Sequence, residues 1–319
     1  MSSLFTGFTF KDKMLILFSV ICFFLLFVGG PDYYSPRSFK YGWGLGHIIT
    51  FSLWAYLFLK LRFFEMKKIS LRGFSTIVFF SALIGITIEF FQSLIGRESS
   101  ISDVIRDVEG TLLTLLFFSP ISIDISKTVK IVLQIGIVCT ILFETKPFTI
   151  AAIDEITAKK QFPVLASFET PFEASRWGRN NFKRTSKFSK EGEYALEVPL
   201  LPGKYSGVSL NYFPENWSGY DFFLFSIMNP SPDAVWLTCR ISDIDHHLKT
   251  EEIYEDRFNQ RFKVNPGWNN FSISRYNILT APTGRDMDLS KIKQVGFFAT
   301  EVKEKAFVYI DDVKLSNSI

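Results

Sequence analysis

Five long apolar runs fill the first half of this chain and restrict its fold more than any other sequence feature. Each run approaches the roughly 20 residues that a helix needs to cross the hydrocarbon core of a bilayer. The approximate runs are Met14–Gly30, Tyr41–Leu61, Phe74–Ile95, Glu109–Ile123 and Val129–Phe143. The sequence therefore predicts an α-helical transmembrane bundle of about five helices over residues 1–149.

Basic residues between the runs predict the orientation of this bundle. The stretch from Lys60 to Arg72 holds five lysines and arginines, more than the loop on either side. The positive-inside rule places that stretch in the cytoplasm, with the N-terminus on the same side. The first run ends without a small-x-small cleavage pattern, so we interpret it as an uncleaved anchor. Five spans then leave everything after Lys146 outside.

Polar side chains from several predicted helices fall in the outer-leaflet region of the bundle. The catalytic candidates are His47, Glu89, Gln92, Arg97, Asp103 and Asp107. Polar groups at membrane depth are costly and mark a pathway, a relay or a binding pocket. We predict a pocket in which His47 and Glu89 exchange a proton. A metal site at His47 is less favoured because no second His or Cys is near. The alternative is an ion pair of Glu89 with Arg97 or Arg106 that only locks the helices.

These polar residues also carry a family resemblance. Gly46-His47, then Glu89 and Gln92, Arg97, Asp103, Asp107 and Gly110 resemble the VanZ-like membrane family over roughly residues 10–125. That family has a His early in one helix, E-x-x-Q at the end of the next, then Arg and D-x-x-x-N-x-x-G. Asp107 departs from the pattern, which commonly has Asn, and Trp43 and Gly44 replace a charged Asp-Lys pair. The family is linked to resistance to the glycopeptide antibiotic teicoplanin, so the resemblance implies an envelope role without a defined reaction.

The second half has the pattern of a different fold class. After a polar linker over residues 150–163, apolar and polar residues alternate with a period of two, and turn residues interrupt them. Strands are predicted at Tyr194–Leu200, Phe222–Met228, Ala234–Ile241, Asn269–Ile273, Gln294–Ala299 and Ala306–Leu315. Short strands at near-regular spacing, with no helix of note, predict an all-β jelly-roll sandwich over residues 164–319.

Motifs of this half are similar to galactose-binding-like and carbohydrate-binding-module jelly rolls. They are Phe168-Glu169, Trp177, Lys190-Glu191-Gly192-Glu193, Trp217–Asp221, the strand end near Asp243, Pro266-Gly267-Trp268-Asn269, Met287-Asp288-Leu289-Ser290 and Val308-Tyr309-Ile310-Asp311-Asp312. The resemblance covers nearly all of residues 164–316 and implies a fold that carries many functions. It also implies a structural calcium that joins the first strand to the last, with Glu169 and Asp311 as metal ligands. An exposed salt-bridge role for these two residues is the alternative.

Glycan recognition requires aromatic rings that stack on sugar faces and polar groups that fix the hydroxyls. The substrate-binding candidates are Trp177, Asp243, His247, Tyr254, Asp256 and Arg257. Most of them lie in the polar stretch that follows the strand ending near Asp243, and long loops on a rigid sandwich commonly carry binding groups. Trp236, in a predicted strand, is as compatible with the core as with a site.

Three functions fit these patterns. In the favoured one, the sandwich binds a glycan or glycolipid of the cell envelope and the helices anchor it in membrane lipid. In the second, the outer-leaflet cluster forms an enzyme or lipid-handling site for a lipid-linked glycan or headgroup. In the third, the sandwich is a docking scaffold for a protein. A net charge of +3 argues against a nucleic-acid partner. The VanZ-like resemblance implies the bacterial cytoplasmic membrane, with the sandwich in the periplasm.

Overall fold

The computed structural model describes residues 9–32, 34–62, 68–97, 99–178, 182–249 and 253–318. The chain divides into two compact units, Met1–Thr149 and Ile150–Ile319. The middle of the basic stretch that orients the predicted bundle, residues 63–67, lies outside the described residues.

Long helices make up most of the first unit. They are α1 (Phe10–Phe27), α2 (Arg37–Arg62), α3 (Leu71–Leu94), α4 (Ile101–Leu113) and α5 (Lys127–Gln161). The hydroxyls of Thr9 and Ser70 accept backbone N–H groups at the starts of α1 and α3 and so cap them. A π-helical turn, Thr114–Phe118, follows α4, and two short strands, β1 (Lys68–Ile69) and β2 (Ser122–Ile123), pair in parallel. Within the described ranges, three helical stretches are long and apolar enough to cross a membrane: Arg37–Lys60, Leu71–Leu94 and Lys127–Gln161.

Two glycines set the closest approach of α2, α3 and α4. A Cβ atom on Gly110 of α4 would lie 2.3 Å from the backbone carbonyl oxygen of Ile48 on α2. A Cβ on Gly85 of α3 would lie 2.5 Å from Asp107 Oδ2 on α4. The missing side chains therefore allow the three helices to pack with their polar residues in contact, as small residues do at other helix interfaces.

The Gly110→Ala variant is expected to lower the thermal unfolding midpoint of the first unit. Because the obstacle is the backbone carbonyl of Ile48, a methyl group forces the helices apart at a cost of about 1–3 kcal/mol. Gly136→Ala is the matched control, since a Cβ at this position in α5 meets nothing within 4 Å. Differential scanning fluorimetry in detergent measures both, and equal midpoints for the two variants would contradict the packing argument.

Eleven strands build the second unit within the described residues. They are β3 (Val164–Ala166), β4 (Trp177–Gly178), β5 (Lys183–Thr185), β6 (Ala195–Leu200), β7 (Gly203–Leu210), β8 (Phe222–Asn229), β9 (Val235–Asp243), β10 (Phe258–Val264), β11 (Gly267–Ser274), β12 (Ile292–Val302) and β13 (Ala306–Ser316). Two short helices, α6 (Ile244–Leu248) and α7 (Arg275–Leu279), lie between strands.

The strands form two antiparallel sheets that share one core. One sheet has the order β10-β9-β12-β7-β4, and the other has the order β11-β8-β13-β6-β5 with β3 added beside β13. Inward residues of both sheets, such as Ile241 and Phe297 from the first and Phe225 and Ile310 from the second, belong to a single buried cluster. The second unit is thus a β-sandwich, in agreement with the alternation in its sequence.

Each of the six predicted strands corresponds to an observed strand, and the differences lie elsewhere. β3, β4, β5, β7 and β10 were not expected, and neither was any helix. The stretch that follows β9 forms α6, with Asp243 as its N-cap, because the Asp243 carboxylate accepts the N–H of His246. His246 and His247 therefore lie on a helical turn.

Residues of the predicted linker, 150–163, are helical as far as Gln161. They form the last turns of α5 and belong to the second unit. Ala151 and Ala158 are buried there, and so is Asp154, at 1% exposure. This segment is therefore packed structure.

Candidate functional site

Four of the six polar side chains singled out in the first unit lie together. His47 on α2 is buried, and its Nδ1 is 2.8 Å from Asp107 Oδ1 on α4. Its Nε2 is 3.9 Å from Asp103 Oδ2, one turn earlier on α4. Glu89 on α3 joins them, because Glu89, His47 and Asp103 each offer one atom within 4.8 Å of the others. Three helices thus bring an imidazole and three carboxylates to one place, which we call the His47 cluster.

The other two candidates, Gln92 and Arg97, contact the end of α1. Gln92 Nε2 donates to the carbonyl oxygen of Leu26 at 2.7 Å, and Arg97 Nη1 donates to the same oxygen at 2.6 Å. The last carbonyls of a helix have no partner within the helix, so these bonds satisfy one of them. In the described contacts, Gln92 and Arg97 therefore fix α1 against α3.

Arg106 makes the strongest ionic contacts near the His47 cluster. Its Nη1 donates to Asp103 Oδ1 at 2.5 Å, and its Nε donates to Glu144 Oε2 on α5 at 2.7 Å. Glu89 instead accepts the N–H of Ser100 through Oε2, while no hydrogen-bond partner of its buried Oε1 lies in the described part of the chain. The helix-locking pair of Glu89 with Arg97 or Arg106 is therefore not among the described contacts.

In the second unit, two of the predicted binding residues are buried in an ion-pair network. Asp243 and Asp256 are 0% and 3% exposed, and Arg285 contacts both. Arg285 Nη1 and Nη2 donate to the two oxygens of Asp243 at 2.6 and 2.9 Å, and its Nε donates to Asp256 Oδ1 at 2.8 Å. Burial, the largest single effect, raises the pKa of Asp243, but Arg285 and the N–H groups of Asp288 and His246 together outweigh it and lower that pKa. Arg285 also lowers the pKa of Asp256, against the opposing effect of burial.

Trp177 lies in the core of the sandwich and corrects one expectation. The side chain is 5% exposed, and its ring packs against Phe168 and Phe297, with ring centroids 5.7 and 6.2 Å away. A sugar cannot stack on a ring that is buried in this way. Trp177 therefore contributes to core packing, and the stacking role expected from the sequence does not fit its position.

The remaining predicted residues lie near the surface at one end of β9. His247 Nε2 is 3.0 Å from the hydroxyl of Ser242, the last residue but one of that strand. Tyr254 is exposed, and the Arg257 guanidinium lies 6.0 Å from the centre of its ring. These side chains remain accessible to a ligand, unlike Trp177, Asp243 and Asp256.

Alternate residues on four strands of the five-stranded sheet point away from the core. Side chains on a strand alternate between its two faces, and Leu237, Cys239 and Phe297 mark the inward positions. The outward set, called here the outer face, comprises Tyr205 and Ser209 on β7, Trp236, Thr238 and Arg240 on β9, Arg261 on β10, and Gln294 and Phe298 on β12.

Aromatic rings occupy two places on the outer face. Tyr205 and Phe298 meet edge to face, with centroids 6.1 Å apart. Trp236 is 46% exposed, and the guanidinium of Arg261 lies 4.8 Å from the centre of its ring. The outer face therefore offers exposed ring surface that is already oriented by neighbouring side chains.

A chain of polar groups crosses the same face near these rings. Arg240 Nη2 donates to Gln294 Oε1 at 2.7 Å, and Gln294 Nε2 donates to Asn211 Oδ1 at 2.9 Å. Gly296 pairs with Ser209 on one side and Arg240 on the other, and a Cβ atom on Gly296 would lie 3.5 Å from the side chains of both. The alternation of Trp236, Thr238 and Arg240 along β9 was the sequence signal for this face, and of these three residues only Trp236 was considered for a site from the sequence.

Glu169 and Asp311 both bind the turn at residues 190–194. Glu169 Oε1 accepts N–H groups of that turn at 3.0 Å, and Asp311 Oδ2 accepts another at 2.6 Å. Arg184 donates to the carbonyl oxygens of Phe168 and Glu169. Calcium requires six to eight oxygen ligands, but here backbone N–H groups already contact Glu169 Oε1 and Asp311 Oδ2, and the Arg184 guanidinium contacts the two neighbouring carbonyl oxygens. As placed, these residues do not fit a calcium site, although burial raises the pKa of Asp311 to about 6.

Chelation is therefore expected to leave the thermal unfolding midpoint of the second unit unchanged. A bound ion at 100 times its dissociation constant would stabilise the fold by about 2.7 kcal/mol, and EDTA would remove that stabilisation. Scanning calorimetry of the full chain in detergent, with EDTA or with added calcium, measures the difference. An unfolding midpoint that falls in EDTA and recovers with added calcium would show that the second unit binds calcium.

Comparisons with known proteins give no family for the chain. No protein-family model and no curated protein matches it. Among solved structures, a family 11 carbohydrate-binding module from Clostridium thermocellum, in complex with a β-1,3-1,4-mixed-linked tetrasaccharide, is 18% identical, with a TM-score of 0.37. That match covers 49% of this chain and 95% of the module. An exo-β-agarase is 14% identical with a TM-score of 0.38, and the match covers 49% of this chain and 25% of the enzyme.

A C-terminal family 22 carbohydrate-binding module from Clostridium thermocellum is also similar. It is 12% identical over 48% of this chain and 91% of the module, with a TM-score of 0.33. At these identities and TM-scores, the similarity assigns no ligand or activity to this chain.

Proposed function

We propose that this chain is a membrane-anchored envelope protein whose β-sandwich binds a glycan on its outer face. The observation that supports this proposal is the combination, on one exposed sheet, of oriented rings at Trp236, Tyr205 and Phe298 with the polar chain through Arg240 and Gln294. No other part of the second unit is needed for it. Asp243 and Asp256 act beneath the surface as structural groups.

The chemistry of the outer face matches that of a sugar chain. The C–H face of a pyranose is apolar and packs on an aromatic ring, while its rim of hydroxyls needs both donors and acceptors. Arg240 supplies donors, and Gln294, Asn211 and Ser209 supply both donors and acceptors. Because these groups lie on rigid strands, they require little ordering when a ligand binds.

The first unit would hold the sandwich at a membrane. Its helices expose large apolar side chains, among them Phe79 at 65%, Phe90 at 59% and Phe143 at 73%. Apolar surface of this extent is rare on soluble monomers. With the basic stretch from Lys60 to Arg72 inside, the proposed location is the bacterial cytoplasmic membrane, with the N-terminus in the cytoplasm and the sandwich outside.

The Trp236→Ala variant is expected to weaken glycan binding by about 10-fold or more, equivalent to about 1.4 kcal/mol. The full chain in detergent is first screened on an array of bacterial cell-wall and capsular oligosaccharides. The best oligosaccharide is then titrated by calorimetry against wild type and variants. Tyr276→Ala is the control, since this ring is 71% exposed on α7 and lies outside the outer face.

Two outcomes would refute the proposal. One is the absence of saturable binding to any oligosaccharide on the array by a folded chain. The other is equal affinity of Trp236→Ala and Tyr276→Ala for an oligosaccharide that wild type binds. Weaker binding by Trp236→Ala alone would support the outer face as the site.

A further inference from the structure

His47, Glu89 and Asp103 present ligand atoms to a common point inside the first unit. One atom of each side chain lies within 4.8 Å of the other two. Atoms bound to one metal through bonds of about 2.1 Å lie at most about 4.2 Å apart. A shift of roughly half an ångström, within the reach of side-chain rotation, would therefore place all three around one ion.

Asp107 orients the imidazole of His47 for this geometry. Its Oδ1 lies 2.8 Å from His47 Nδ1, and Asp107 is 0% exposed. An imidazole that donates Nδ1–H to a carboxylate presents the lone pair of Nε2 on its other side. This is the arrangement in which a carboxylate supports a metal-binding histidine. In the structure, His47 Nε2 lies 3.9 Å from Asp103 Oδ2, on the side where the ligand atoms converge.

The buried carboxylate of Glu89 is a second, independent indication of a cation site. The side chain is 6% exposed, and among the described residues its Oε1 has no hydrogen-bond partner, whereas Oε2 accepts the N–H of Ser100. A buried carboxylate oxygen without a partner costs free energy unless a donor or cation contacts it. The cluster also carries more carboxylates than cations, because Arg106 is shared between Asp103 and Glu144.

We propose that His47, Glu89 and Asp103 bind one divalent transition-metal ion, with Asp107 holding His47 in the required orientation. This goes beyond glycan binding, which involves the other unit. One imidazole and two carboxylates suit Zn²⁺ or Mn²⁺. Three protein ligands leave a coordination position open for water or another small oxygen ligand, as in catalytic rather than structural sites.

Metal content of the full chain tests this assignment. The protein is purified in detergent, stripped with a chelator, and dialysed against Zn²⁺, and bound metal is measured by mass spectrometry. Wild type is expected to retain one ion per chain. His47→Ala, Glu89→Gln and Asp103→Asn are expected to lose it, and Asp107→Asn should weaken affinity by about 10–100-fold.

Two controls separate the site from other metal-binding groups. Asp124→Asn removes a carboxylate that is 66% exposed in the same unit, and His247→Ala removes one of the two histidines of the other unit. Both variants are expected to retain the ion. Wild type without a stoichiometric ion, or an ion retained by His47→Ala, would overturn the proposal.

A spectroscopic measurement on wild type does not depend on the folding of any variant. Mn²⁺ bound at the site is expected to show coupling to an imidazole nitrogen in pulsed electron paramagnetic resonance, and that coupling should persist in His247→Ala. Bound Mn²⁺ without nitrogen coupling would overturn the proposal even if His47→Ala failed to fold.

Discussion

Replacing Arg176 with methionine is expected to destabilise the second unit by about 3–5 kcal/mol. The Arg176 side chain is 0% exposed, and its partner Asp154 is 1% exposed. Arg176 Nε contacts both oxygens of Asp154 at 3.1 and 3.0 Å, Nη2 contacts Oδ1 at 2.9 Å, and Nη1 donates to the Leu165 carbonyl at 2.8 Å. Methionine fills similar space but leaves the Asp154 charge buried.

A second variant tests whether the unpaired, buried carboxylate of Asp154 causes the loss of stability in Arg176→Met. Removing both partners in Asp154→Leu/Arg176→Met should restore most of the lost stability, because an ion pair replaced by apolar groups is often neutral. Lys183→Met provides a control, since its pair with Glu197 leaves the lysine 67% exposed. Such a surface pair contributes about 0–1 kcal/mol.

Pulse proteolysis of the full chain across a urea series in detergent gives the free energy of unfolding of the second unit. A loss in Arg176→Met no larger than that in Lys183→Met would contradict the argument. A double variant that is no more stable than Arg176→Met would show that the cost arises from packing.

The same contact shows where sequence reasoning ends. Composition and hydropathy place Asp154 in a polar linker, and nothing local distinguishes it from a solvated residue. Its partner Arg176 lies 22 residues further along the chain, beyond the end of α5 and the first strand of the sandwich. A buried pair of this kind exists only once the tertiary fold is formed. The sequence pattern therefore identified the segment as polar and missed its burial.

Strands were predictable where local pattern and tertiary position agree. β8 and β12 are rich in apolar residues and lie in the interior of their sheets, and both were predicted from the sequence. β10 is an edge strand rich in polar residues, and β7 contains Gly203 and Gly207. Neither has a strong intrinsic strand preference, so pairing with β9 and β12 determines their structure.

The candidate sites divide in a similar way. Glu89 and Asp107 stood out in the sequence as polar residues of apolar stretches, which is a local signal, and the structure brings both close to His47. The outer face joins Tyr205, Trp236 and Phe298 from three strands, and only the pairing of β7, β12 and β9 brings them together. Local sequence pattern therefore pointed to the polar stretch after β9 as the binding site and not to the outer face.

Replacing Arg285 with alanine is expected to destabilise the second unit by about 3 kcal/mol at neutral pH. Asp243 is 0% exposed and would keep the N–H groups of His246 and Asp288 but lose the guanidinium. Asp256 would lose the same partner while keeping Lys249 at 2.6 Å. Arg275→Ala is the control, because this exposed arginine should change stability by less than about 0.5 kcal/mol.

The pH dependence distinguishes this mechanism from lost packing. In wild type, Arg285 lowers the pKa of Asp256, and together with the N–H groups of Asp288 and His246 it lowers the pKa of Asp243 against the larger single effect of burial. The stabilisation from both carboxylates is therefore complete above their unfolded pKa of about 3.9 and is lost as the pH falls through the lower folded pKa values. In Arg285→Ala, burial without the guanidinium raises the pKa of Asp243, so that variant gains stability as the pH falls towards about 4.

The two pH profiles should consequently converge in acid. Urea unfolding of the full chain in detergent, measured by pulse proteolysis from neutral pH to about pH 4, gives both profiles. Adding Asp243→Asn to Arg285→Ala should restore part of the stability at neutral pH, because an amide oxygen still accepts the His246 N–H without a buried charge. The free energies of unfolding of wild type and Arg285→Ala could instead differ by the same amount at every pH, with no recovery on adding Asp243→Asn. That result would show that Arg285 stabilises the fold by packing.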